Sequence, residues 1–164
     1  MDINYRIIKN FVCTLLFVIV GLDTYAQKDK YLIEAEAFQF KGKWSADRSA
    51  DCMGSAMLRL NGGGSLDEQF DALTVVNIME EGDYNVWVRS ADYEKLPGTR
   101  LFRLSVDEKP MKESGKHGKV GFYWENVGNV QLKRKKVLLR LHDTKKNFGR
   151  CDAILLVKDN SVNP

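Results

Sequence analysis

The sequence is short of the residues that most enzymes and metalloproteins depend on. Its 164 residues include only three cysteines and two histidines. His117 and His142 stand alone and the cysteines are far apart, so no zinc-ligand spacing exists. There is no G-x-S-x-G, no phosphate-binding loop and no dinucleotide G-x-G-x-x-G. The glycine triplet Gly62–Gly64 runs into polar residues and reads as a flexible turn. No stretch of ten or more residues carries helical periodicity. Long apolar runs are also missing: "FVCTLLFVIVGL" is about a dozen residues, against the roughly 20 that a membrane-spanning helix needs. The excess of positive charge is a mild +3. It gathers at Lys133–Lys136 and at Lys145 and Lys146, where solvated turns are the ordinary explanation. Nucleic acid would need a broader basic stripe with interleaved aromatics.

What is present begins with a leader. Arg6 and Lys9 form a basic start, the short apolar run follows, and "TYA" precedes Gln27. These features read as a secretory signal peptide over residues 1–26, cleaved near Ala26. A lipoprotein signal would need a cysteine just after the apolar run, whereas Cys13 lies inside it. The chain is therefore expected outside the cytoplasm: secreted, periplasmic or at the cell surface. Residues 27–164 remain as a single domain, long enough for a real core. Cys52 and Cys151 remain as well. In an oxidising compartment an even count permits a disulfide, as it permits two buried thiols.

Almost every later segment reads as a short strand. "YLIEAEAF", "SAMLRL" and "ALTVVNIM" are apolar or β-branched. In "EEGDYNVWVRS", Tyr84, Val86 and Val88 alternate with Asn85, Trp87 and Arg89, which assigns the first set to a core face. "RLFRLSV" alternates likewise, and Asp107, Glu108, Lys109 and Pro110 follow it as a turn. "GFYWENVGNVQL" is strand material broken by Gly128, and "VLLRLHD" and "DAILLV" close the domain. Turn signals every 8–12 residues or so predict an all-β antiparallel sandwich or barrel.

Glu34 and Glu36 are two apart on a predicted strand, so they project to one face. Two like charges there need water or a cation. Asp152 opens the last strand. Should the first and last strands meet, three carboxylates would converge as hard ligands of the kind calcium takes. The alternative is an exposed edge strand with solvated glutamates. Carboxylate pairs such as Glu80–Glu81 and Asp107–Glu108 fall in predicted turns, where solvation is the default.

The pieces "IEAEAF", "GKW", "MGSAML", "DALTVVNI", "EGDYNVWVRSADY", "PGTRLFRLSVDEK", "GFYWENVGNVQL" and "LHDTKKNFGRCDAILL" occur in an order that resembles carbohydrate-binding-module-like domains of secreted bacterial proteins. The likeness is to families 6 and 35 and to the golvesin/xanthan-lyase-like domain. It is nearest to a variant attached to secreted FAD-dependent oxidoreductases and polysaccharide-degrading enzymes. The resemblance implies a galactose-binding-like jelly roll over residues 27–164. It also implies a structural calcium on Glu34, Glu36 and Asp152, completed by a backbone carbonyl from residues 48 to 55. It brings Cys52 and Cys151 near one point and so implies a disulfide between them. The function it implies is non-catalytic binding of a polysaccharide or glycan, alone or beside a glycan-degrading enzyme. The competing readings are a structural or protein-docking sandwich and a small polysaccharide hydrolase or lyase on the same scaffold.

Sugar binding uses flat aromatic faces with polar groups for the hydroxyls. The candidate ligand-binding residues are Trp87 and Arg89 on a sheet face, Tyr93, Tyr123 and Trp124 near loops, and Asp92, Asp143 and Arg150 as hydroxyl partners. Arg150 has an equal claim to pairing with Asp152 or Asp143. Trp44 and Tyr84 read as packing residues.

Overall fold

The computed structural model describes residues 29–49, 51–60, 70–144 and 148–164. The predicted leader and its cleavage point, the glycine triplet, and Lys145 and Lys146 lie outside the described residues. Among the described residues ten strands form two antiparallel sheets. The larger sheet has the order β2 (Trp44–Asp47), β3 (Met57–Leu60), β10 (Arg150–Val157), β5 (Gly82–Ala91) and β8 (Phe122–Leu132). β1 (Lys30–Glu34) pairs with the C-terminal half of β10. The smaller sheet runs β4 (Ala72–Asn77), β9 (Lys136–Asp143), β6 (Phe102–Val106) and β7 (Lys109–Ser114). The predicted antiparallel sandwich is the observed architecture. Among the described residues no helix is long and apolar enough to cross a membrane.

Alternation builds the core between the sheets. Tyr84, Val86 and Val88 of β5 are fully buried and meet Phe102 and Leu104 of β6, Leu139 and Leu141 of β9, and Ile154 and Leu156 of β10 in one cluster. Trp44 of one sheet packs edge-on against Phe102 of the other, with ring centroids 5.7 Å apart. Tyr84 keeps its hydroxyl satisfied inside this core by donating to the Glu80 carbonyl at 2.6 Å.

Three sequence expectations change in detail. Glu34 ends β1, and Ala35–Ala37 form a 3₁₀ turn, so Glu36 is not on the strand with Glu34. The predicted four-residue turn is only Asp107–Glu108, both at positive φ, as a tight hairpin turn requires. Lys109 and Pro110 belong to β7, an edge strand where a missing N–H is tolerated. Gly128 does not break β8: the strand continues through a bulge opposite Val86 and Trp87.

Candidate functional site

β10 carries a second bulge between Cys151 and Ala153. It places Cys151 in the core cluster and turns Asp152 to the opposite face of the sheet. There the Asp152 carboxylate accepts the Met53 amide at 3.2 and 3.1 Å and pairs with Arg89 of β5. Arg89 also donates to the Asp51 carbonyl at 3.0 Å, so the 51–53 loop covers it. Arg150 has an equal claim to Asp152 or Asp143 in the sequence, but the arginine that pairs with Asp152 is Arg89.

The same bulge corrects the disulfide. Both cysteines are free thiols. Cys151 is wholly buried in the core, whereas Cys52 lies on the Asp152 side, where that carboxylate acts on its thiol. Burial, then the Asp152 charge, push both thiols up from their ordinary range, Cys151 far more.

The remaining carboxylates meet over Gly54, which has φ +61°. A Cβ there would come within 2.5 Å of Glu36 Oε1 and 2.7 Å of Glu34 Oε2, so only glycine fits. Glu36 Oε1 accepts the Ser55 amide at 2.7 Å, the Ser55 hydroxyl at 3.1 Å and the Ala56 amide at 3.2 Å. Partial burial raises the Glu36 pKa, but donation from Ser55, its own backbone and Ala56 outweighs that and holds it below the ordinary value. Glu36 Oε2 is buried without a hydrogen-bond partner. Glu34 and Glu36 thus fit a hard cation: two carboxylates share one cradle and one oxygen is unspent. Asp152 fits less well, because a guanidinium already neutralises it. Among the described residues, no group of three or more acidic, histidine or cysteine side chains is gathered as a metal site.

The aromatic candidates separate into three places. Trp87, Arg89 and Trp124 share the outer face of the larger sheet, Trp124 lying opposite Arg89 in the β5–β8 register. Tyr123 points to the other side and stacks on His117, centroids 5.0 Å apart. Tyr93 and Arg150 converge with Leu96, Thr99, Arg100 and Phe148 around an open cleft of about 280 Å³. Its apolar rim is solvent-facing, with Tyr93 39%, Leu96 60% and Phe148 54% exposed. The Arg100 guanidinium lies 5.5 Å from the Tyr93 ring centroid. Burial, then the nearby charges of Arg100 and Arg59, lower the Arg150 pKa, with Asp47 opposing. Arg150 Nε is buried and has no hydrogen-bond partner.

Asp92 is no hydroxyl partner. It is 2% exposed, and its carboxylate accepts the amides of Tyr93 at 2.7 Å, Gly98 at 3.1 Å and Gly118 at 2.8 Å. It ties the 93–98 loop, which lines the cleft, to Gly118. Asp143 lies on the smaller sheet and lines a different, polar cleft. Arg100 and Phe148 are cleft residues that the sequence did not single out. Each lies outside the strands, where no alternating pattern places its side chain.

No protein-family model matches the chain, and no curated protein matches it. Solved structures do. The chain is similar to a GH26-CBM35 β-(1,4)-mannanase from Podospora anserina, with TM-score 0.66 and 14% identity. That match covers 84% of this chain and 29% of the mannanase. It is also similar to the family 35 carbohydrate-binding module from Paenibacillus barcinonensis, with TM-score 0.63, 18% identity and coverage of 79% and 99%. A family 35 module from Clostridium thermocellum gives TM-score 0.60 at 17% identity, covering 77% and 98%. The chain thus spans under a third of the mannanase and nearly all of each separate module. At these identities the likeness establishes the fold, a β-sandwich of the carbohydrate-binding-module type.

Proposed function

We propose that the protein is an exported carbohydrate-binding module that holds a polysaccharide or glycan in the cleft of Tyr93, Arg100, Phe148 and Arg150. The observation that carries this is the pairing of exposed aromatic rings with two crowded arginines in one open groove. Aromatic faces stack on the apolar patch of a pyranose, and guanidinium groups bind hydroxyls and carboxylates in fixed geometry. The fold shared with family 35 modules supports the same reading. Two neighbouring positive charges favour a glycan bearing an acidic group. Binding alone needs no catalytic residue, and a glycan-degrading enzyme is a fitting companion. A calcium ion on Glu34 and Glu36 is proposed as a structural element that steadies the Gly54 loop.

Affinity gel electrophoresis tests the binding. Polygalacturonate in the gel is expected to retard the protein more than neutral galactomannan does. Tyr93→Ala and Phe148→Ala should each migrate freely, and Arg150→Met should lose only the acidic preference. If no acidic or neutral glycan retards the folded protein, the binding reading falls and protein docking takes its place.

A further inference from the structure

The smaller sheet carries a constellation that has no part in the glycan cleft. β9 lies between β4 and β6, and its outward His142 faces Arg103 across the β6 register. Asp71 immediately precedes β4, whose Ala72 pairs with Leu141, so Asp71 falls beside His142. His142 Nδ1 is 2.8 Å from Asp71 Oδ2, at ion-pair distance rather than as an aligned hydrogen bond. On its other side, His142 Nε2 is 2.8 Å from Ser105 Oγ. Asp71 is 5% exposed, and Arg140 stands 3.5 Å from the same oxygen, which offsets its charge. One imidazole therefore has a hydroxyl within hydrogen-bond reach of its Nε2 and a carboxylate in close contact with its Nδ1. Such a relay is recognised by geometry and roles, not by a sequence motif or chain order.

Ser105 and His142 line a polar cleft of about 500 Å³. Arg103 lines it beside them, its Nη2 paired with Glu113 Oε1 at 3.3 Å, together with the carboxylates of Glu108 and Asp143. Pro110 is the one apolar side chain among the described lining residues, so the cleft suits a short acyl group on a hydrophilic alcohol and offers little to a long chain.

We propose that Ser105, His142 and Asp71 form a second functional site that hydrolyses short acyl esters. Ser105 Oγ attacks the ester carbonyl as His142 Nε2 takes its proton. The Arg103 guanidinium, a cationic group of the cleft wall, offsets the negative charge that develops on the carbonyl oxygen. The tetrahedral adduct collapses, the C–O bond to the alcohol breaks, and His142 returns the proton to the departing alcohol. Water then attacks the acyl-serine, again giving its proton to His142, and the acid leaves as Ser105 recovers its hydrogen. The balance is one ester and one water to one acid and one alcohol. Asp71 is a positioning residue that holds the imidazole. The proposal stands on this sheet alone and does not depend on glycan binding.

The full chain is assayed with p-nitrophenyl acetate and p-nitrophenyl octanoate, and is separately treated with a fluorophosphonate and mapped by peptide mass spectrometry. The acetate is expected to turn over faster than the octanoate, and the adduct to sit on Ser105. His142→Gln should lower the acetate rate by about 10²-fold or more, the usual scale of general-base catalysis. Asp71→Asn should lower kcat and leave KM within about twofold, as removal of a transition-state contribution does. A Ser105→Ala protein that hydrolyses acetate at the parent rate overturns the proposal. So does an unmodified Ser105 in the folded parent at saturating reagent, a result that needs no variant to fold.

Discussion

Asp152 and Arg89 form an ion pair across the β5–β10 strands, on the face of the sheet away from the core. Asp152 is completely buried and the Arg89 side chain is 18% exposed. Loss of one member strands the other in a poorly solvated place, which costs about 3–5 kcal/mol when both are deeply buried. Since Arg89 keeps some solvent and Met53 still donates to the carboxylate, Arg89→Met is expected near the lower end, about 3 kcal/mol by urea unfolding. Arg89→Met/Asp152→Asn should be more stable than the arginine variant alone. Additive effects within about 0.5 kcal/mol would show that the pair is not coupled.

Calcium should raise the melting temperature, and chelation should lower it. The response belongs to Glu34 and Glu36, so Glu34→Gln/Glu36→Gln should melt at one temperature with or without calcium. A parent protein indifferent to calcium would remove the ion from the proposed architecture.

Glu36 also sets an acid limit in calcium-free buffer. Its carboxyl is held below the ordinary value of 4.5 in the folded chain. The stabilisation is therefore complete above that value and disappears as pH falls through the lower, folded one. Between roughly pH 5 and pH 3 the parent should lose urea resistance more steeply than Glu36→Gln. Parallel curves would show that the donors on Ser55 and Ala56 contribute nothing that titrates.

The thiols offer a direct chemical check on their different burial. Iodoacetamide should modify Cys52 slowly in the folded protein, and Cys151 only in denaturant. Protection of both thiols in denaturant, relieved by reductant, would restore the disulfide and contradict this geometry.

Much of the sandwich was legible from alternation. Tyr84, Val86 and Val88 could be assigned to a core before any coordinates, because period two leaves no other face for them. β2 and β7 were not seen: "WSAD" is too short for a pattern, and Pro110 disguises an edge strand as a turn. The bulge at Asp152 was hidden too. Strict alternation back from Ile154 and Leu156 would put Asp152 on the core face and Cys151 outside, the reverse of what the bulge produces. The cleft was half legible, since Tyr93 and Arg150 are 57 positions apart and the fold alone brings them together. His142 reads as isolated along the chain, yet its neighbours Asp71 and Ser105 come from adjacent strands.

Asp92 connects the fold to the proposed function. Its carboxylate gathers amides from residues 93, 98 and 118, and its own carbonyl accepts Arg100 Nη1 at 2.8 Å. Tyr93 and Arg100, one aromatic and one charged wall of the cleft, therefore both hang from this residue. Asp92→Ala leaves three amides to find other partners, and each one that stays buried and unmet costs about 1–3 kcal/mol. Asp92→Asn keeps one acceptor oxygen and should fold with a smaller loss. Its expected signature is functional: glycan affinity down about fivefold, or about 1 kcal/mol, as the cleft walls loosen. Isothermal titration with polygalacturonate checks this beside a melt of the same sample. An asparagine variant that melts early but binds as the parent does would mean that the cleft holds its shape without the Asp92 clasp.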